Sequence, residues 1–350
     1  MYSTSATTRA QTVRIVLVTQ MWPTSDDPAL GSFLVPLVRE LRAAGHEVTV
    51  CAIERRGGPP TKYVRLAIAA IAATRRTRPD VVFAHFLFPA GAAGLVAARA
   101  GRVPLVAMAH GQDVANLERR ALRLATRPVV RGAAAVIANS HWLAGRLEAR
   151  FRGLSCDVCN LGVDLDMFGP SSAPAVEWPG DSPRFLCVGS LIERKNVLAL
   201  ADAFRAVGRG SLVFVGDGPL RSALHGRPRV HLVGRVEHAV VPGWVAASDV
   251  VCQPSLAEPF GQAVLEAMAM SRTVVATTVG GPPEFVTPGA GVLVDPSDAT
   301  VLRDALERAA NMPRPNRAAG AAAAAHDARR QAARMAAVLE RVTSAPTPPR

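Results

Sequence analysis

The stretch Ser255-Leu-Ala-Glu-Pro-Phe-Gly-Gln-Ala-Val-Leu-Glu-Ala-Met-Ala269 decides how this chain is read. Glu258 falls in a Pro/Phe/Gly turn, and Glu266 stands eight residues on, about two helical turns away. Between them, the amides of a helix N-terminus would face an anion. One short segment therefore offers an acceptor to hydroxyls, donors to a phosphate, and a second acceptor to another diol. The apolar run Val250–Gln253 just before it reads as a strand, so the segment closes a strand-turn-helix unit.

Working outward, short Val- and Ile-rich runs alternate with helical patterns, the mark of βαβ units and parallel sheets. In the first half the predicted strands are Arg14–Thr19, Glu47–Ile53, Val81–Ala84, Pro104–Ala109, Ala134–Ala138 and Asp157–Cys159. A helix over Ser32–Ala44 puts Phe33, Leu34, Leu37, Val38 and Leu41 on one face and stops at Gly45. Gly169–Pro183, the densest Pro/Gly/Ser stretch before the C-terminus, reads as a linker. The pattern then restarts with strands at Arg184–Val188, Ser211–Val215, Val230–Val233, Val250–Gln253, Thr273–Thr277 and Gly291–Val294. A break at Met312–Pro315 precedes one long helix, Ala318–Val342, with Thr343–Arg350 as a frayed tail. The expected fold is α/β, with two doubly wound, Rossmann-like parallel-sheet domains facing across a cleft, where ligands bind beyond the carboxyl ends of strands. The expected boundaries are 1–169, a linker over 170–183, 184–315, and a C-terminal helical segment over 316–350.

The bulk numbers agree with two domains. At 350 residues, 49% of them apolar, the chain can fill two cores. Its polar start, Met1–Arg9, and short first apolar run, Ile15–Val18, do not form a signal peptide. The uncharged stretch Phe86–Ala98 falls short of a membrane span, so a soluble cytoplasmic protein is expected. Cys156-Asp-Val-Cys159 lacks the second pair a zinc site needs and does not open a helix as a redox motif would, so the five cysteines are expected to be ordinary thiols. The net charge is +12 and is unevenly placed: residues 1–169 hold 21 Lys and Arg against 12 Asp and Glu. Such a first half suits an anionic membrane surface, reached peripherally at the inner face, or a phosphorylated acceptor. Nucleic acid fits poorly, because the basic residues lack interleaved aromatics for stacking. Lys195 stands out, since all but two of the 40 basic residues are arginines.

No Gly-x-Gly-x-x-Gly follows the first strand and no Gly-Lys-Ser/Thr occurs, which argues against dehydrogenases and P-loop enzymes. Asp164-Leu-Asp166 is a DxD of the kind that can hold a metal–diphosphate, but its place just ahead of the linker reads as a turn, and no metal is expected.

Glu258-Pro-Phe-Gly-Gln-Ala-Val-Leu-Glu266 resembles the E-x7-E motif of retaining glycosyltransferases of the GT-B fold, family 4. The resemblance runs along nearly the whole chain in order. Trp22–Gly31 is similar to the family's N-terminal glycine loop, His110-Gly-Gln-Asp113 to its HGxD, and Asn139-Ser140 to its NS at a strand end. Leu161-Gly-Val-Asp164, Val188-Gly-Ser-Leu-Ile-Glu-Arg-Lys195, Val215-Gly-Asp-Gly-Pro219 and Gly280-Gly-Pro-Pro-Glu284 continue the series. Each motif alone is weak; eight in series are specific. The C-terminal helix then resembles the segment that crosses back onto the first domain.

The resemblance implies transfer of a hexose-type unit from a UDP- or GDP-sugar to a saccharide, lipid-linked or small-molecule acceptor, with no cofactor. The leaving diphosphate would be stabilised by Lys195 and by amides at Phe260, Gly261 and, from the other domain, Gly31. Glu258 would bind hydroxyls of the transferred sugar and Glu266 the ribose diol, so neither serves as an orthodox nucleophile. His110 would point into the cleft near the sugar. His85 and Asp113 fall on the acceptor side, and Gly234 edges the base pocket. Where the family commonly has an arginine after the glycine, this chain has Ser190, and Arg194 is the candidate replacement. Glu284 is expected to anchor the Gly280–Pro283 loop. A nucleotide-sugar epimerase of the same fold, or a silent nucleotide-sugar binder, are the alternatives.

Overall fold

The computed structural model describes residues 12–169 and 173–344. The expected polar start, linker residues 170–172 and the end of the tail lie outside the described residues. The first sheet holds β1 (Arg14–Thr19), β2 (Glu47–Ala52), β3 (Val81–His85), β4 (Leu105–Ala109), β5 (Ala135–Ala138) and β6 (Cys156–Val158). Its helices are α1 (Leu34–Ala43), α2 (Thr61–Thr77), α3 (Ala90–Gly101), α4 (Gly111–Glu118), α5 (Arg120–Gly132) and α6 (His141–Glu148). The second sheet holds β7 (Arg184–Val188), β8 (Ser211–Val215), β9 (Val230–Gly234), β10 (Val250–Gln253), β11 (Thr273–Thr277) and β12 (Gly291–Val294). The remaining helices are α7 (Val197–Val207), α8 (Arg221–Leu224), α9 (Val241–Ala247), α10 (Gln262–Ala269), α11 (Ala299–Ala310), α12 (Arg317–Ala324) and α13 (Ala328–Ser344).

Every pairing is parallel. The strand orders are β2-β1-β3-β4-β5-β6 and β12-β11-β10-β7-β8-β9. The expected pair of doubly wound sheets is therefore what forms. Burial explains it: β3, β4, β8, β10 and β11 are covered on both faces along their whole length, as parallel strands flanked by helices must be. On the first sheet, α2, α3, α5 and α6 pack one face, while α1 and α13 pack the other. On the second, α7 and α11 pack one face, and α9, α10 and α12 the other. The order reverses between β1 and β3 in one sheet and between β7 and β10 in the other. Ligands of such sheets bind at the carboxyl ends of strands at that reversal.

Three expectations change. The single helix over Ala318–Val342 is two: α12 packs on the second domain and α13 on the first, with residues 325–327 between them. The break comes from tertiary pairing. Val163 donates to the His326 carbonyl (2.8 Å) and accepts from the Ala328 amide (2.9 Å), so the chain must open there. The handover between cores comes earlier than residue 169, since Leu161 packs in the first core and Val163 and Phe168 in the second. The two crossings, at Gly162 and at 325–327, lie side by side. Nor is the linker free: Trp178 donates to Ser211 Oγ (2.8 Å) and its ring lies 6.0 Å from that of Trp244. Cys156 and Cys159 face opposite sides of edge strand β6 and do not meet as a pair. No helix among the described residues is long and apolar enough to cross a membrane.

Candidate active site

The loops after β7 and β10 meet at the reversal point of the second sheet, and they carry Lys195 and Glu258. Lys195 Nζ lies 2.5 Å from Glu258 Oε2, and Ser255 Oγ donates to the same oxygen at 3.0 Å. Both side chains are largely buried. Burial alone would raise the Glu258 carboxyl, but the charge and hydrogen bond of Lys195, with Arg194 and Ser255 behind, hold it below the ordinary carboxylate value. Arg194 donates to the Ala257 carbonyl (3.0 Å), so its guanidinium braces the residue before Glu258.

The Glu258 backbone is fixed as tightly as its side chain. It pairs in parallel with Gly280, donating to Val279 (2.9 Å) and accepting from Gly281 (2.9 Å). Gly280 has φ +130°, and a Cβ there would stand 1.9 Å from the Glu258 carbonyl oxygen. This close approach is why the loop needs a glycine. The Pro259-Phe260-Gly261 turn then enters α10, with Phe260 buried against Phe285 (5.5 Å between centroids) and Gly261 as the cap residue.

Glu266, one face of α10 further on, is buried, and desolvation pushes its carboxyl up to about 8. Its Oε1 lies 3.9 Å from His238 Nε2. His238 lines a hollow of about 310 Å³ with Ser190, Gly216, Asp217 and Arg235 from the second domain and Ser32 and Arg56 from the first. Gly31, in the turn before α1, precedes Ser32, and Gly234, accepting from Gly216 (2.8 Å), precedes Arg235. Arg56 in turn pairs with Asp27.

A second hollow, about 460 Å³, joins His110, Phe33 and Asn139 of the first domain to Arg194, Glu258 and Gly261 of the second. His110 follows β4 and stands at the head of α4, which aims it at the cleft. Desolvation lowers it to about 3, so the imidazole is neutral. His85 lies underneath, fully buried, with Nδ1 3.1 Å from His110 Nε2. Burial and then His110 also push His85 well below its usual value. With both rings neutral, one of these nitrogens donates and the other accepts, so the tautomers of His85 and His110 are coupled. His85, expected to line the cleft, therefore lies beneath His110 instead. Asp113 is likewise no cleft residue: its carboxylate accepts from the amides of Leu87 (3.0 Å), Phe88 (3.3 Å) and His110 (2.9 Å). Burial pushes it up to about 7, against the pull of these three amides. It ties the loops after β3 and β4 together.

Three of the contacts between the domains lie beside the cleft. Ser140 Oγ donates to the Pro259 carbonyl (2.6 Å), the Trp142 amide donates to Glu284 (3.0 Å), and Gln262 Nε2 donates to the Gly162 carbonyl (2.9 Å). Glu284 thus reaches the head of α6 in the other domain, where its own loop was the expected partner. Asp164 caps its own turn, accepting from the Asp166 amide (3.1 Å), and pairs with Arg39 (2.9 Å). Arg235 was expected, with Gly234, to edge the base pocket, whereas Arg56, His238 and Gln262 were not anticipated. Arg56 and His238 have as their sequence signal only a place after a strand, and Gln262 opens α10 between the two glutamates.

Two doubly wound domains meeting across a cleft lined by the loops after β4, β7 and β10 is the GT-B architecture of glycosyltransferases. HepE of Anabaena, solved in complex with UDP-glucose, superposes with a TM-score of 0.71 at 20% identity, covering 94% of this chain and all of that one. The family profile described as Glycosyltransferase Family 4 matches residues 30–167, and that described as Glycosyl transferases group 1 matches residues 182–312. Together they span both sheets, and the chain belongs to the family 4 glycosyltransferases. TuaC of Bacillus subtilis (strain 168), whose name assigns it provisionally to teichuronic acid biosynthesis as a glycosyltransferase, is 26% identical over 348 residues, covering 85% of this chain and 89% of that one. A D-inositol 3-phosphate glycosyltransferase of Arthrobacter sp. (strain FB24) is 29% identical over 322 residues, covering 79% and 76%.

Proposed function

We propose that this enzyme moves a hexose-type unit from a UDP- or GDP-sugar to an acceptor hydroxyl with retention of configuration and without a metal. The observation that carries the reading is the Lys195–Glu258 pair at the reversal point of the second sheet, opposite His110. As the glycosidic bond breaks, negative charge grows on the diphosphate. Lys195 and the amides entering α10 meet that charge in a place where water is scarce. Glu258, released from Lys195 when the diphosphate takes the ammonium, accepts hydrogen bonds from hydroxyls of the transferred sugar. Glu266, with His238 3.9 Å away, accepts from the ribose hydroxyls in this reading, and the UDP-glucose held by HepE supports a nucleoside diphosphate sugar as donor. Neutral His110 binds a sugar hydroxyl as a hydrogen-bonding partner, and the acceptor's proton leaves on the departing phosphate.

The test incubates the purified chain with a panel of UDP- and GDP-sugars and saccharide, lipid-linked and phosphorylated small acceptors in EDTA, following nucleoside diphosphate release and product anomer. Release coupled to a glycosylated product of unchanged anomeric configuration is expected. An inverted product, activity that vanishes with EDTA and returns with metal, or interconversion of the donor alone would each overturn the reading.

A further inference from the structure

Three neighbouring helices of the first domain form a surface unlike the rest of the molecule. α2 packs on α3 and α3 on α5, and all three close the same face of the first sheet. Their outer sides carry four of the eight large apolar side chains exposed among the described residues: Val64 (60%), Ile68 (61%), Val96 (48%) and Leu124 (50%). Val64 and Ile68 are one turn apart on α2. The same helices hold nine Lys and Arg and no Asp or Glu. Seven of the nine, including Arg65, Arg75, Arg76 and Arg127, are exposed, and none of those seven forms an ion pair among the described residues. Glu118, just ahead of α5, is taken up by Arg146 and Arg150.

Exposed apolar side chains within an unneutralised cationic field are poorly matched to water or to another copy of the same basic face. They match a surface of fixed negative charge with an apolar layer beneath it. We infer that the α2–α3–α5 face docks on an anionic lipid bilayer. The arginines hold headgroup phosphates while Val64, Ile68, Val96 and Leu124 enter the acyl boundary. α2 also brings Lys62 and Arg65 to a hollow of about 620 Å³ beyond the end of β2. The inference goes beyond the proposed reaction and is tested without donor or acceptor, so failure of either leaves the other standing.

The full chain is sedimented with sucrose-loaded vesicles of phosphatidylcholine alone or with 30% phosphatidylglycerol, at low and at 0.5 M salt. Binding to the anionic vesicles only, weakened by salt, is expected. Each cation near such a surface contributes on the order of fivefold in affinity. Arg65→Glu/Arg76→Glu should therefore lower partitioning at least tenfold, and Val64→Glu/Ile68→Glu should do the same. The charge-matched Arg205→Glu/Arg209→Glu, on the far domain, should lower it less than threefold. All these side chains are exposed, so unchanged melting curves will verify folding. Equal binding to both vesicle types, equal loss in the far-domain variant, or no pelleting at low salt would overturn the inference. So would a concentration-dependent dimer in light scattering that Val64→Glu/Ile68→Glu dissolves while vesicles stay unbound.

Discussion

Replacing Lys195 by Met separates the structural from the chemical role of the pair at the centre of the site. The ammonium lies 2.5 Å from Glu258, and without it that buried carboxylate keeps only Ser255 Oγ as a side-chain partner. Breaking a buried pair outright costs about 3–5 kcal/mol. Glu258 has an escape, because it can take up a proton. From an ordinary value of 4.5, protonation at pH 7 costs about 3 kcal/mol, at roughly 1.4 kcal/mol per pH unit, which caps the loss. The sign follows from linkage. In the wild type the Glu258 carboxyl is held below 4.5, so its stabilisation is present above that pH and is lost as pH falls through the folded value. In the variant the folded value rises above 4.5, so stability falls as pH climbs. The destabilisation should be about 3 kcal/mol at pH 7 and under about 1 kcal/mol at pH 5, measured by urea unfolding with tryptophan fluorescence. Lys195→Met/Glu258→Gln should regain most of the stability yet remain at least 100-fold slower than wild type, the scale of losing a group that meets charge in the transition state. A loss independent of pH, or a double variant whose turnover recovers along with its stability, would refute the reasoning.

Glu266 titrates near 8 in the free protein, so it is protonated at pH 7, and ribose hydroxyls donating to it would favour its ionised form. Donor binding should release protons at pH 7 and tighten as pH rises toward 8; identical calorimetric enthalpies in phosphate and Tris would contradict this. Because its folded value is raised above 4.5, the same carboxyl makes stability decline between pH 4.5 and 8, and Glu266→Gln should flatten that decline in thermal melts. Gly111→Ala would place a Cβ 2.5 Å from Pro259 Cγ, wedging the domains apart. Solution scattering should show a more open particle, and kcat/KM should fall roughly 100-fold, as misplacement of reacting groups does; an unchanged profile with wild-type kinetics would count against closure at this contact. Ser140→Ala removes a cap to the Leu143 amide and a donor to the Pro259 carbonyl, for a cost of about 1–3 kcal/mol read from chemical denaturation.

What the chain order makes legible depends on how many neighbours a residue needs before its role is settled. Strands such as Arg14–Thr19, Ser211–Val215 and Thr273–Thr277 have the predicted bounds, because a parallel strand covered on both faces must be a continuous apolar run. Lys195, Glu258 and His110 converge on one cleft because each follows a strand at or beside a reversal point, a consequence of topology that the alternation of elements already carries. The break at 325–327 leaves a fainter trace. Ala318–Val342 has Gly320 near its start and no proline; Asp327 accepts from the Arg329 amide (3.0 Å) as an N-cap does, and Val163, more than 160 residues earlier, takes the backbone groups of His326 and Ala328.

The two histidines make the same point more sharply. His85 and His110 stand at the ends of adjacent parallel strands, and local pattern treats them alike, although the register pairs His85 with Met108, two residues short of His110. Depth distinguishes them: His110 sits one residue past β4, at the head of α4 and against the cleft, while His85 is the last residue of β3 and lies under it. Asp113 and Glu284 are separated from a ligand by the same logic. Asp113 reaches three amides before it reaches the cleft, and Glu284 reaches the amide of Trp142 across the domain boundary. The carboxylates of this chain therefore divide by what else could satisfy them. Where backbone amides lie within reach, the acid serves the frame. Glu258 and Glu266 pair with a lysine and face a histidine instead, groups that a ligand can displace.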